Sequence, residues 1–193
     1  SEPQAHQVEH PPKRDRNLQK LSKTAQTKLV KIEKQLLSMT HRKPTRAKVT
    51  CEEDQDPGFR STLLGAYTRR GAGVTTATLK NEELVQQLHQ LGRTRPRREE
   101  YLSINLNYLP SGDQIAVHAD VYNLKNYNTW IIAFGDYTGG RLWIEDSQGV
   151  FPPPSTHQNT IDPHVMGLYY DIKKTWICIN AHKLHAVEPV HSG

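Results

Sequence analysis

Cysteine is scarce: the 193 residues hold two, Cys51 and Cys178, and they stand far apart. That spacing forms no CxxC pair or other thiol metal motif, which argues against a disulfide scaffold and fits a reducing compartment. Long apolar runs are absent as well. No stretch approaches the roughly 18 residues of a membrane span, and the N-terminus lacks the apolar segment of a signal peptide. A soluble protein is expected, with no internal repeat to make it a solenoid. Apolar residues are only 35% of the chain and the mean hydropathy is −0.72, so a core must be concentrated somewhere. The apolar residues thicken after Tyr101 and are thin before about Asp56. The length fits one domain with a short appendage.

Charge is uneven in the same direction. Lysine and arginine exceed aspartate and glutamate by 25 − 20 = 5, and much of that excess precedes Glu99. Two readings stand side by side: a polyanionic partner such as nucleic acid, or a solvated basic tail.

Residues 1–17 are polar, with Pro11-Pro12 followed by Lys13, Arg14 and Arg16, and read as an extended basic arm. From Leu18 to Met39, Leu18, Leu21, Ala25, Leu29, Ile32 and Leu36 recur at helical spacing, with lysines at 20, 23, 28, 31 and 34 on the remaining face. This predicts an amphipathic helix whose stripe packs on the domain or on a protein partner. Pro44 ends it, and residues 41–48 form a basic connector. Residues 51–58 are acidic and turn-like, and a short strand is expected at Ser61–Leu64. The Gly-rich stretch Arg70-Gly-Ala-Gly-Val lacks the spacing of a phosphate loop. A second helix is expected over Leu79–Leu91, with Leu84, Val85, Leu88 and Leu91 on one face and Gly92 as its stop. The run 93–98, Arg-Thr-Arg-Pro-Arg-Arg, is a basic loop.

The character then changes. Tyr101–Leu109, Thr129–Phe134, Arg141–Glu145, Leu168–Ile172, Thr175–Ile179 and Leu184–Val190 are short, rich in β-branched or aromatic residues, and separated by Gly, Pro, Asp and Asn. Strands at this spacing without intervening helices predict a sandwich, barrel or jelly roll. Two helices thus feed an all-β C-terminal half.

The segment Ile115-Ala-Val-His118-Ala-Asp120-Val-Tyr-Asn123 carries the sharpest chemical signal. In a strand, residues two apart share a face, so His118 and Asp120 would present an imidazole and a carboxylate to one interior. A second histidine from a distant strand would complete a 2-His-1-carboxylate facial triad with open positions. Further on stand Phe134-Gly-Asp-Tyr-Thr-Gly-Gly-Arg-Leu-Trp143-Ile-Glu-Asp146, the hairpin Gly167–Asn180, and His182-Lys-Leu-His185-Ala-Val-Glu-Pro189-Val190. Here the chain resembles the Fe(II)/2-oxoglutarate-dependent dioxygenases, whose order is H-x-D, G-G-x-L-W/F, a hairpin, then H-x-V-x-P-V/F. The form H-x-D-x-x-N with G-D-Y-T-G-G-x-L-W is similar to a protist and algal branch related to TET/JBP-type nucleic-acid base dioxygenases. The resemblance covers about Ser61 to Gly193 and is strongest from Ser103 to Val190.

The resemblance implies His118 and Asp120 as the first two iron ligands and His185 as the third. His182 is the competitor for the last place; Val187 and Pro189 follow His185 in the family register. His157, His164 and His191 read as loop residues. Asn123 would hold a loop or touch substrate, or else make an Asx-turn. Asn105 and Asn107, with Tyr101, would face the cosubstrate or simply sit on a strand surface. Trp130, Trp143 and Trp176 read as core. The family's arginine for the distal carboxylate of 2-oxoglutarate falls just past the glycine matching Gly193. No residue in this numbering matches it, and Arg141 is named only as a substitute. Either the domain continues past Gly193 or it has lost the cosubstrate, and the final barrel strand would be missing, leaving an open edge.

The expected fold class is therefore α+β: a double-stranded β-helix (jelly roll) core with N-terminal supporting helices. Residues 1–50 would form the basic arm and amphipathic helix, and 51–193 a dioxygenase-like domain incomplete at its C-terminus. The implied cofactors are Fe(II) and 2-oxoglutarate, and the implied reaction is C–H hydroxylation, with a methylated nucleic-acid base as one substrate. The competing readings are a non-catalytic interaction module and a cupin-like metal site without 2-oxoglutarate. Nucleic acid would be held by the arm and the 93–98 loop. No membrane is involved, and the location is intracellular, with the nucleus as one option.

Overall fold

The stripe of Leu21, Ala25, Leu29 and Ile32 is buried, and it forms the inner face of a helix as its spacing requires. In the computed structural model, residues 18–38, 60–67, 72–97, 99–154, 162 and 164–192 are described. The basic arm with Lys13, Arg14 and Arg16, the connector 41–48, the acidic segment 51–58, Arg70, Arg98, His157 and Gly193 lie outside the described residues. The elements run β1 (Leu18–Lys20), α1 (Lys23–Ser38), β2 (Arg60–Tyr67), β3 (Gly73–Val74), α2 (Thr76–Lys80), α3 (Glu82–Gly92), β4 (Ser103–Tyr108), β5 (Ile115–His118), β6 (Thr129–Ile131), β7 (Tyr137–Gly139), β8 (Leu142–Glu145), β9 (Gly167–Tyr170), β10 (Thr175–Ile179), β11 (His185–Val187) and β12 (Val190–Ser192).

Every pairing between these strands is antiparallel. Four sheets result, in the orders β1-β10-β6, β5-β11-β8-β9, β12-β7 and β3-β2-β4. Two of them enclose an apolar layer. From the four-stranded sheet come Leu142, Ile144, Tyr170 and Val187; from β1-β10-β6 come Leu18, Ile131, Ile177 and Ile179, with Ile172 beside them. Strand alternation sends Trp176 and Trp130 to the opposite face of β10 and β6. There they join the inner faces of the helices: Ala25, Leu29 and Ile32 of α1, Leu84, Leu88 and Leu91 of α3, and Leu64 of β2 form the second cluster. The order is thus helices, sheet, apolar interior, sheet. The α1 stripe packs against α3, β2 and Trp176 of the same chain. No described helix is long and apolar enough to cross a membrane.

Several expected elements shift. The helix does not begin at Leu18: Leu18–Lys20 pairs with β10, Leu18 opposite Ile177. Ser22 then caps α1, its Oγ accepting from the Ala25 N–H at 3.2 Å, a side-chain cap that satisfies a helix donor left without a backbone acceptor. The helix expected over 79–91 divides at Asn81 into α2 and α3, and Leu79 is exposed. The strand expected over 184–190 divides into β11 and β12, because Pro189 has no N–H to give a ladder. Strand β7 forms inside the Gly-Asp-Tyr-Thr-Gly-Gly stretch, where no strand was expected, pairing with β12. Left-handed φ at Gly135, Gly139 and Gly140 (125°, 70° and 64°) lets the chain reverse on both sides of it.

Candidate metal centre

Strand β11 lies between β5 and β8. His185 is the direct partner of His118 on one side and of Ile144 on the other. Directly opposed residues on antiparallel strands project to the same face, so both imidazoles enter the apolar interior. The register between β5 and β11 then slips: His185 faces His118, but Val187 faces Ile115. Three steps on β5 match two on β11, a β-bulge of the kind that re-aims a side chain beside a site.

Asp120 reaches the site differently from the sequence expectation. Strand β5 ends at His118, so Asp120 does not gain its place by strand alternation. Its backbone N–H donates to the Ala181 carbonyl at 2.8 Å, on the turn that leads into β11. The carboxylate still arrives beside both rings. Asp120 Oδ1 is 3.9 Å from His118 Nε2, and Oδ2 is 4.0 Å from His185 Nε2. The ring centroids of the two histidines are 4.3 Å apart, tilted by 54°. One donor atom from each of the three residues lies within 4.8 Å of the others. His185 is buried, while His118 and Asp120 are partly open, which leaves a way in from solvent.

The same device orients both rings. His118 Nδ1 meets the Ala116 carbonyl at 2.7 Å, and His185 Nδ1 meets the Lys183 carbonyl at 2.8 Å. A carbonyl only accepts, so each Nδ1 carries a hydrogen, and each ring is turned with its Nε2 toward Asp120. A second hydrogen bond of this type fixes tautomer and ring angle in metal-binding histidines. The donor set, two imidazole nitrogens and one carboxylate, is that of the facial triad with open positions. The residues fit a divalent metal.

His182 is not part of this group. It sits in the turn before β11, its backbone N–H on Asn180 Oδ1 at 3.0 Å, and its Nε2 is buried with no hydrogen-bond partner among the described residues. Glu145 is a positioning residue that sequence reading missed. Its Oε2 accepts from the Leu184 N–H at 3.1 Å, and its own N–H donates to the Leu184 carbonyl at 2.9 Å, which fixes the approach to His185. Its only signal in the sequence is its place at the end of an expected strand.

The other expected residues have these surroundings. Asn123 N–H donates to the Asp120 carbonyl at 3.0 Å, and its amide reaches Thr129 Oγ1 at 3.3 Å; it holds the loop leaving the site. Asn105 and Asn107 are exposed on β4, both contacted by the Ser61 hydroxyl at 3.0 and 3.1 Å. Their neighbours Ile104 and Leu106 turn to the helical core, so the asparagines take the side of the ribbon away from the helices. Arg141 meets a protein partner: Nε and Nη2 donate to Glu188 at 2.7 and 3.0 Å, and the guanidinium lies 4.5 Å from the Tyr169 ring centre. Burial pushes the Glu188 carboxyl up, but the hydrogen bonds and charge of Arg141 outweigh it and hold the group below the usual range. Trp143 and Trp176 are buried, and Trp130 is half-buried with its indole N–H on Glu99 at 3.0 Å. His164 and His191 are exposed.

No protein-family model matches the chain, and no curated protein matches it. Among solved structures it is similar to that of OsALKBH1, with 12% identity over 90% of this chain and 86% of the other and a TM-score of 0.46. It is also similar to the crystal structure of an oxidoreductase of the 2OG-Fe(II) oxygenase family from Burkholderia pseudomallei, with 15% identity over 93% and 81% and a TM-score of 0.49. The candidate ligand set of His118, Asp120 and His185 rests on its own distances.

Proposed function

We propose that the chain is an Fe(II)/2-oxoglutarate-dependent dioxygenase that hydroxylates a C–H bond on a methylated nucleic-acid base. The observation that carries the reading is the convergence of His118 Nε2, Asp120 and His185 Nε2, with each ring pinned through Nδ1. The strand order β5-β11-β8-β9, in which a late strand enters between two early ones, supports a jelly-roll core. The sequence motifs around these residues support the choice of iron and cosubstrate.

Bound iron would supply, with 2-oxoglutarate and O2, oxidative decarboxylation coupled to hydroxylation of the substrate. The protein's part is positional. His118, Asp120 and His185 would hold the metal and leave positions open for exchangeable groups. The carboxylate offsets part of the ion's charge, and the apolar layer of Leu142, Ile144 and Val187 keeps one side of the site dry. Asn123 would stand at the substrate side, and Asn105 and Asn107 at the cosubstrate side. The methylated base is supported by the basic excess of the chain, since phosphate neutralisation favours such partners; a nuclear location would follow from it. Of the basic loop, Arg95 is already engaged, donating to the Gly92 and Glu99 carbonyls.

The test is succinate formation from 2-oxoglutarate by iron-loaded protein with an oligonucleotide carrying methylated bases. Turnover that needs both iron and the methylated strand, and that vanishes in His185→Ala, supports the proposal. Iron binding with no 2-oxoglutarate consumption under any condition contradicts it. One observation favours the second reading, a dioxygenase-like module without cosubstrate: Arg141, the substitute named for that role, is taken by Glu188. A protein that binds no metal would establish that reading instead.

A further inference from the structure

The eight residues that follow the metal carboxylate, Val121-Tyr-Asn-Leu-Lys-Asn-Tyr-Asn128, are all exposed. Four of them are large apolar side chains held in water: Val121 at 62%, Tyr122 at 79%, Leu124 at 59% and Tyr127 at 62% exposure. Burying side chains of this kind stabilises a fold. A loop that leaves four outside, next to a site, has the character of a recognition surface.

The loop's conformation is set by its own bonds. After the turn closed by Asn123 on Asp120, a second turn is closed by the Tyr127 N–H on the Leu124 carbonyl at 3.3 Å. Asn126 takes a left-handed φ of 71°, and the Asn123 amide ties the loop to Thr129 at the start of β6. Tyr122 is two residues beyond Asp120, so their Cα atoms are within about 7 Å. Lys125 is the loop's only charged side chain, and it has no acidic residue. Rigid aromatic side chains, amides and a single cation match the faces, edges and phosphates of nucleic acid.

Building on the nucleic-acid reading above, we infer that this loop is a stacking platform for a single strand. Tyr122 and Tyr127 take the faces of bases flanking the one presented at the metal, and Lys125 takes a phosphate. A single strand is required because a ring can cover only a base face that is not already stacked in a duplex.

The experiment measures fluorescence anisotropy of a labelled unmodified single-stranded DNA and of its duplex, with the full 193-residue chain and its variants. Tyr122→Ala and Tyr127→Ala should each weaken single-strand binding by roughly 5- to 150-fold, the loss of one base–aromatic stack. Tyr122→Phe and Tyr127→Phe should retain it, since the ring face remains. Lys125→Ala should lower the log–log salt slope by about 0.7. All these side chains are exposed, so an unchanged thermal midpoint shows that the losses are local. Alanine variants that bind like wild type overturn the platform while the nucleic-acid reading survives. Equal losses for duplex and single strand overturn the single-strand claim. Wild type that binds neither overturns both.

Discussion

Replacing Glu188 with glutamine keeps the shape of the side chain and removes the charge that faces Arg141. The contact is dense. Arg141 donates through Nε at 2.7 Å, through Nη2 at 3.0 Å and through its backbone N–H at 3.0 Å, and the Glu188 N–H returns a bond to the Arg141 carbonyl at 3.0 Å. The Glu188 side chain is 15% exposed but that of Arg141 is 52%. Buried hydrogen bonds to charged groups contribute about 1.5–3 kcal/mol and exposed ion pairs about 0.2–1 kcal/mol. With one partner half in water, the pair should contribute about 1–2 kcal/mol. A double-mutant cycle over Arg141→Ala and Glu188→Gln, read by urea unfolding, measures it, with a thermal shift of about 3–6 °C for either single variant. The pH dependence has a definite sign. The folded Glu188 carboxyl lies below its ordinary range, so its contribution is complete above the unfolded value near 4.3. It fades as pH falls through the lower folded value. A coupling below about 0.3 kcal/mol at neutral pH would refute the reasoning. So would an Arg141→Ala variant that keeps its stability and loses 2-oxoglutarate binding, which would return the guanidinium to the cosubstrate.

Three further outcomes follow from local chemistry. The Tyr137 hydroxyl is buried without a hydrogen-bond partner among the described residues, and burial, then the charge of Asp171, push the phenol up to about 12. Tyr137→Phe should leave stability unchanged or raise it by up to about 1 kcal/mol. In an alkaline unfolding series, the variant should also escape the loss that wild type suffers as pH rises from about 10, the unfolded value, to about 12. Gly167→Ala would put a Cβ against the Ile144 carbonyl and the Trp143 ring, where Gly149 also packs; urea unfolding should show a loss of about 1–3 kcal/mol. Deleting residues 1–16, with Lys13, Arg14 and Arg16, should flatten the salt dependence of nucleic-acid binding, at about 0.9 in log–log slope per duplex phosphate lost, without changing iron occupancy.

The helical stripe on α1, the face of Leu84, Leu88 and Leu91, and the strand at Thr175–Ile179 were legible because burial imposes a period on each. His118 and Asp120 were legible as a motif, but the reason they converge was not. Strand alternation stops at His118, and a long-range bond from Asp120 N–H to Ala181, together with the β5 bulge, sets the geometry. Such contacts leave no trace in local sequence. Strands β1, β7 and β12 were hidden for a related reason: three residues give too short a pattern, and each strand exists through its partner. Ser22 was a cap signal within reach, masked by the apolar period that runs through Leu18 and Leu21. The roles of Glu145 and Glu188 depend wholly on what the fold places opposite them.

The central claim is that His118, Asp120 and His185 form the metal centre, and anaerobic Fe(II) titration calorimetry tests it most directly. Wild type and His182→Ala should each bind about one equivalent, while His118→Ala, Asp120→Ala and His185→Ala should show no binding in the same range, since three protein ligands are what the open site requires. Loss of binding in His182→Ala with retention in His185→Ala, or a folded wild type that takes up no iron, would contradict the account.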